Sequence, residues 1–452
     1  MRGKKKLKNL LVILLVFFAI ILVLYFDLFE RKAPIIYVED TIYTNFESPL
    51  ALRITDEGLG LSYARITLQN GTNGQNTVLY DEGLGIKNEF VLQLSLPKII
   101  KNGDSYSLKI ETKDHSLWNF FMGNKTVKTV SIISDTKKPT VNILTHSYQI
   151  EQGGAAAVVF EARDENLQEV YVENNKGEKF KVLPFVKEGY YASILAWSAV
   201  EKDFIAYVVA SDKAKNLSKE RIRYYVKNRT YRNSNIALKD SFLEGKIADL
   251  AKQYAPDENY NKLDSFKFVN ETLRIQNEEL IYKNTLALSP KNLDDLNITR
   301  FVPLKNAMKV ADFADHRFYS YNDDFLSDSY HLGIDLASVA RDDIFASLDG
   351  KVVFAEENGI YGINIIIDHG LGLYSLYGHC SSKFVAQGDE VKKGDVIAKT
   401  GVSGLALGDH LHFGILIQGV EVRPEQFQDT NWLNNNINYI LAEGKDIILR
   451  RK

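Results

Sequence analysis

The chain has 452 residues, of which 45% are hydrophobic and 25% charged, and its formal net charge is -3. That length exceeds one ordinary domain, and that composition excludes a disordered chain. The weak negative charge offers no basic surface for phosphate, so no nucleic-acid partner is expected. The single cysteine, Cys380, excludes an intrachain disulfide.

At the N-terminus, Arg2, Lys4, Lys5, Lys6 and Lys8 precede the apolar run LLVILLVFFAIILVLYF, Leu10 to Phe26. As a helix this run rises ~26 Å, near the lower limit for a bilayer core. A signal peptide has a shorter apolar run and a small-residue cleavage site, whereas here Asp27, Leu28, Phe29 and Glu30 follow. The expectation is an uncleaved single-pass anchor in the inner membrane over residues 10–26. Residues 1–9 form a basic cytoplasmic tail, and the bulk of the chain lies outside the cytoplasm, in the periplasm if the cell is Gram-negative.

From about 35 to 227, short β-rich runs such as ITLQN, FVLQLSL, AAAVVFEARD and FIAYVVASD are broken by Gly, Asn, Asp and Lys. Regular short strands with turn signals predict β-sandwiches. A weak repeat supports two units: IETKDHSLWN from Ile110 matches VVASDKAKNLS from Val208, each a strand, an acidic turn and an Asn. DTKKPTVNIL, from Asp135, resembles the junction that opens bacterial Ig-like modules. Ig-like β-domains are therefore expected at 35–137 and 138–228, where cell-wall protein partners could dock; the alternative is one larger β-domain. DSFLEGKIADLAKQYA and KLDSFKFVNETLRIQNEELIYK then have helical spacing, which predicts a helical connector over 229–294. β-patterns return in KVVFAEENG, INIIIDHG, GLYSLYGHC and VIAKTG, giving a C-terminal domain at 295–432 and a tail at 433–452.

Six of the eight histidines fall in this last domain: His316, His331, His369, His379, His410 and His412. In HLGIDLAS, His331 and Asp335 would stand ~13 Å apart on a straight strand, too far to share a metal. A bend at Gly333 would bring them together. In GDHLHFGI, His410 and His412 at i and i+2 of a strand face one side, with Leu411, Phe413 and Ile415 facing the core. His331, Asp335 and one histidine of this pair would make a His₂Asp set, which leaves zinc an open position, the pattern of catalytic sites. His379, in LYGHCSS, and the second imidazole could then move protons.

The motifs HLGIDLAS, IYGINIIIDHG, LYGHCSS, GDEVKKGDVIAKTGVSG, GDHLHFGI and VRPEQF occur in this order between about 313 and 432. As a set they resemble the lysostaphin/LytM-type zinc metallopeptidases that cut peptidoglycan cross-bridges. The resemblance implies an antiparallel β-rich peptidase domain, with Zn2+ held by His331, Asp335 and His412. It implies His379 and His410 as catalytic residues that handle the proton of the attacking water and stabilise the oxyanion. It also implies peptidoglycan peptide stems as substrate, with D,D-bond hydrolysis in cell-wall remodelling, or alternatively a non-catalytic activator or scaffold for cell-wall amidases. Tyr330 departs from the family, where an arginine-containing lead-in is common. His369 and His316 are expected to be structural, and Cys380 to pack away from His379. Tyr330, Tyr361 and Asn364 are expected either to line the cleft or to pack. The fold class expected overall is mainly β and multidomain: a transmembrane helix, two Ig-like sandwiches, a helical connector and the peptidase domain.

Overall fold

The computed structural model describes residues 2–71, 74–98, 106–289 and 297–451, without the side chains of 2–9 and 23–27. The expected boundary between connector and peptidase, at 294/295, lies outside the described residues. The chain is mainly β and divides into two compact units. One comprises Met1–Pro139 with Glu165–Gln168 and Ser211–Leu217; the other comprises Thr140–Asp164, Glu169–Ala210 and Ser218–Lys452.

In the first unit, residues Arg2–Leu28 are helical. The expected anchor at 10–26 lies within this helix, but residues 23–26 fall where no side chain is described. Among the described residues no helix is long and apolar enough to cross a membrane, so the anchor is not shown. Beyond it, a three-stranded sheet and a five-stranded sheet share one core. Strand Tyr106–Asp114 alternates buried and half-buried residues along its length, the two-residue period of a strand with one face inward. Leu52 and Ile54 from one sheet meet Ile66, Leu108 and Ile110 from the other, all fully buried.

The second unit holds the rest of the β-rich region, the helices and the C-terminal domain together. The principal strands are β1 (Asn233–Ala237), β2 (Asp315–Tyr321), β3 (Asp324–His331), β4 (Ile334–Ala337), β5 (Gly350–Glu357), β6 (Ile363–Asp368), β7 (Leu373–Cys380) and β8 (Leu411–Ile417). The central antiparallel sheet runs Met308–Ala311, β4, β8, β7, β6, β5, Glu390–Val391. β7 and β8 are buried at every position, because both faces of the sheet are covered. On one face lie three helices: α1 (Ala248–Tyr254), α2 (Lys262–Lys267) and α3 (Arg274–Thr285). Asn261 caps α2, its side chain accepting from the Leu263 and Asp264 amides. Leu243, Ile247, Phe266, Val269 and Leu273 of this region pack on Ile366, Tyr374, Leu376 and Leu416 of the sheet. The stretch expected to be a connector is thus a layer packed on the central sheet of the second unit. Helical spacing reveals an apolar stripe but not the surface that covers it.

Residues 433–452, set apart above as a tail, also depart from expectation. They include helix α4 (Tyr439–Arg450), which packs on strand Ala155–Arg163. Thr145 Oγ1 donates to Glu443 Oε2 at 2.6 Å, and Ser147 Oγ to the Asn436 carbonyl at 2.7 Å. A reciprocal pair joins Gln418 to the Lys181 backbone: Lys181 N donates to Oε1 at 2.7 Å and Nε2 donates to Lys181 O at 3.0 Å. Gly444 permits the close approach of α4, since a Cβ there would fall 2.8–2.9 Å from Val159. Gly444→Leu should therefore cost about 1–3 kcal/mol by overpacking, read as a lower denaturant midpoint with an unchanged slope.

Candidate metal centre

β3 ends at His331 and the chain bends through Leu332 and Gly333 before β4 begins. A Cβ on Gly333 would fall 2.6 Å from His412 Nε2 and 2.9 Å from the Phe413 carbonyl, so the bend is as tight as glycine allows. β4 pairs antiparallel with β8 in a register that sets Asp335 directly opposite His412. His331 Nε2 then lies 3.0 Å from Asp335 Oδ1 and 3.0 Å from His412 Nδ1, and His412 Nδ1 lies 3.1 Å from Asp335 Oδ1.

These three donors fit zinc. Donors bonded to one zinc stand ~2.0–2.2 Å from it, and three atoms about 3 Å apart share points at that distance. A neutral imidazole and a carboxylate are ligand types zinc takes. His331 Nδ1 is 2.8 Å from the Asp312 carbonyl. A carbonyl can only accept, so Nδ1 carries the proton and Nε2 keeps its lone pair for a metal.

His379 and His410 stand beside this triangle with ring centroids 4.8 Å apart, and His379 is 5.8 Å from His412. Each donates Nδ1–H to a backbone carbonyl, Ser403 at 2.9 Å and Gly408 at 2.7 Å respectively. These bonds select the Nδ1–H tautomer of each ring, in which Nε2 is the acceptor. His410 Nε2 lies 3.7 Å from Asp335 Oδ1. His410 precedes β8 and forms a bridge with Gly401, while Leu411, Phe413 and Ile415 are fully buried on the other side. His379 sits at φ 61°, an uncommon conformation for a residue with a side chain. Here the β6–β7 register shifts, with Ile363 opposite Cys380 but Ile365 opposite Tyr377, and the irregularity re-aims the imidazole.

Burial, reinforced by the neighbouring His412 and His410, lowers His379 to about 3. Burial also lowers His412 to about 4, against the opposing pull of Asp335. For Asp335, burial alone would raise the carboxyl, but His331 and His412 outweigh it and hold it well below the usual range. Both histidines are therefore neutral at pH 7, as a ligand or proton acceptor must be.

These residues line a cleft of about 640 Å³. Part of its wall comes from outside any motif: Ile236 on β1, Leu238, Lys239 and Phe242 just after it, Arg274 at the start of α3 and Arg317 on β2. β1 reaches this place by pairing in parallel with β2. Tyr330 and Tyr361 also line the cleft, and the Tyr361 ring stands edge-on to His412 at 5.4 Å. Asn364 is fully buried and packs instead. His369 is buried beneath the sheet, with Nε2 2.7 Å from Ser375 Oγ. His316 stacks on Tyr330 and contacts Asp328. The Cys380 thiol is buried against the Tyr377 and Gly378 carbonyls, and burial pushes it up to about 12, so it is no nucleophile.

The two depressed histidines set a pH dependence for the metal-free chain. Between the ordinary value of 6.5 and about 3, the unfolded chain binds protons that folded His379 and His412 exclude. Their contribution to stability is present above pH 6.5 and is lost as the pH falls through that window. Scanning calorimetry in chelator should show the unfolding temperature falling from pH 6.5 downwards, with a shallower fall in His379→Gln.

Comparison with known proteins supports the same domain. The profile of Peptidase family M23 matches residues 329–424. The DD-carboxypeptidase/endopeptidase Mpg of Neisseria meningitidis serogroup B is 39% identical over 94 residues, covering 21% of this chain and 22% of that protein. The murein hydrolase activator EnvC of Escherichia coli is 37% identical over 83 residues, covering 18% of this chain and 20% of that protein. The chain thus spans about a fifth of the length of each of these relatives. The catalytic domain of lysostaphin from Staphylococcus simulans is 25% identical, with a TM-score of 0.23, over 27% of this chain and 92% of that one. With its H-x-x-x-D and H-x-H motifs converging on one cleft, the chain carries a peptidase family M23 domain of the LytM/lysostaphin type.

Proposed function

We propose that this chain is a zinc-dependent endopeptidase that hydrolyses peptide cross-bridges of peptidoglycan, as a D,D-endopeptidase in cell-wall remodelling. The observation that carries this is the placement of His331, Asp335 and His412 within 3.0–3.1 Å of one another in the cleft shared with His379 and His410. Zinc held by those three residues supplies Lewis acidity to a scissile carbonyl and to an attacking water. His379 and His410 turn their Nε2 atoms to the cleft, where they can accept the proton of that water and return one to the leaving amine. In their N–H form the same atoms can donate to the oxyanion.

Lys239, Arg274 and Arg317 make part of the cleft wall basic, which suits peptide stems bearing free carboxylates. The helices and β1 act here as part of the substrate cleft. We further propose that residues 10–26 anchor the chain in the cytoplasmic membrane, on the basic-then-apolar order of the sequence. The M23 domain then lies outside the cytoplasm, and the β-rich region is available to cell-wall protein partners. The second reading is a non-catalytic activator of amidases, favoured by the similarity to EnvC.

Digestion of purified sacculi by the full chain, with fragments identified by mass spectrometry, separates the two. New amine ends that vanish with chelator and return with zinc support the endopeptidase; zinc binding without new ends supports the activator. His412→Ala and Asp335→Ala should lose stoichiometric zinc. His379→Ala and His410→Ala should keep most of it, with turnover down about 10²–10⁴-fold. Arg317→Ala should raise KM for stems with free carboxylates and leave KM for amidated stems unchanged.

A further inference from the structure

Outside the peptidase domain, the first unit gathers three carboxylates. Glu30 follows the N-terminal helix, Asp56 follows strand Leu50–Thr55, and Asp114 ends strand Tyr106–Asp114. One oxygen from each lies within 4.8 Å of the others. Asp56 and Asp114 are only 5% and 3% exposed. Several of their oxygens are accounted for. Asp56 Oδ2 accepts from the amides of Gly58 at 3.1 Å and Gly60 at 2.8 Å. Asp114 Oδ1 accepts from the Ser116 and Asn124 amides at 3.0 and 2.8 Å, and its Oδ2 from Asn124 Nδ2 at 2.8 Å.

Asp56 Oδ1 and Glu30 Oε1 are different. Both are buried and have no hydrogen-bond partner among the described residues. Lys32, the cation on the same segment, is turned to the exposed Glu57 at 2.7 Å. Burying unpaired carboxylate oxygens beside like charges is costly, and such groups are normally compensated by an ion, a partner or a proton. The Glu30 carboxylate also lies over Gly58, where a Cβ would fall 1.7–2.0 Å from it. Glycine at this position leaves the room the carboxylate occupies.

We propose that Glu30, Asp56 and Asp114 form a calcium site that fastens the segment after the N-terminal helix to the first β-domain. The donors are all oxygen, with no imidazole or thiol, which suits a hard cation. A spread of 4.8 Å is within the ~5 Å that separates oxygens on opposite sides of calcium at ~2.3–2.6 Å each. Asn124 is a positioning residue: its Nδ2 holds Asp114 and donates to the Glu30 and Lys32 carbonyls at 3.1 and 3.2 Å. The frame recurs later in the chain. Asn216 N and Nδ2 donate to Asp212 at 2.8 and 2.7 Å, and Nδ2 donates to the Asp135 carbonyl at 2.8 Å. The paired repeat at Asp114 and Asp212 seen in the sequence thus has a structural counterpart, although its amide is Asn124 rather than Asn119.

The test uses the zinc-loaded full chain, titrated with calcium chloride, and reads both bound calcium and the unfolding temperature. Calcium should raise the wild-type midpoint by about 3–8 °C near saturation. Asp56→Asn should bind one equivalent less and lose that shift, while being more stable than wild type without calcium. Its amide oxygen can still accept from Gly60, while its NH₂ replaces a repelling charge. Glu30→Gln should likewise lose one equivalent, which keeps the test valid if Asp56→Asn does not fold. Wild type that neither binds nor responds to calcium overturns the proposal. So does calcium uptake that is equal in wild type and both variants. Stabilisation by acid alone, without calcium uptake, would assign the cluster a shared proton and overturn it equally.

Discussion

The M23 domain depends on one backbone pairing, β4 against β8. Antiparallel register places Asp335 opposite His412, and the ladder fixes that separation through hydrogen bonds that lie deep in the sheet. A one-residue slip would turn His412 to the opposite face and bring Leu411 or Phe413 toward the cleft. Those two side chains are fully buried on the far side, so the core enforces the register that brings the candidate metal ligands together. Gly333 completes the constraint by letting His331 fold back over a space that a single methyl group would fill.

Polarity in the cleft is organised by backbone carbonyls as much as by side chains. Asp312, Ser403 and Gly408 each accept an imidazole Nδ1–H. Three histidines are thus set in the same tautomer, with Nε2 available for metal or proton chemistry. Burial then keeps His379 and His412 uncharged at neutral pH. A less enclosed site would let protons compete for the same lone pairs, and the helical layer on the sheet supplies part of that enclosure through Phe266 and Arg274.

That layer was only partly legible in the sequence. The apolar spacing of residues 240–285 marks helices, but the same spacing serves a free-standing connector and a sheet-packed layer. Phe266 and Leu273 find their partners in Tyr374, Leu376 and Leu416, a hundred or so residues away. The basic cleft residues are further from sight. Lys239, Arg274 and Arg317 stand in no motif and come to one cleft only because β1 pairs with β2 and the helices pack on the sheet. Helix α4 hides in the same way: its Gly444 reads as a helix breaker until Val159 is seen against it.

By itself the sequence, through its motifs and the resemblance they carry, singled out the residues of the candidate centre. The metal-ligating residue types sit within a few positions of one another in H-x-x-x-D and H-x-H, and short spacing constrains where local backbone can carry them. It also determined that Cys380 is not a reactive partner for His379, since neighbours on a strand diverge. Tertiary structure alone decided which surfaces enclose that centre. Those contacts join elements far apart in the chain, and an apolar stripe or an isolated arginine records nothing about its distant partner. The left-handed turn at His379 and the unpartnered carboxylates at Glu30 and Asp56 belong to the same class. Each follows from how separate segments are packed together rather than from the residues beside it.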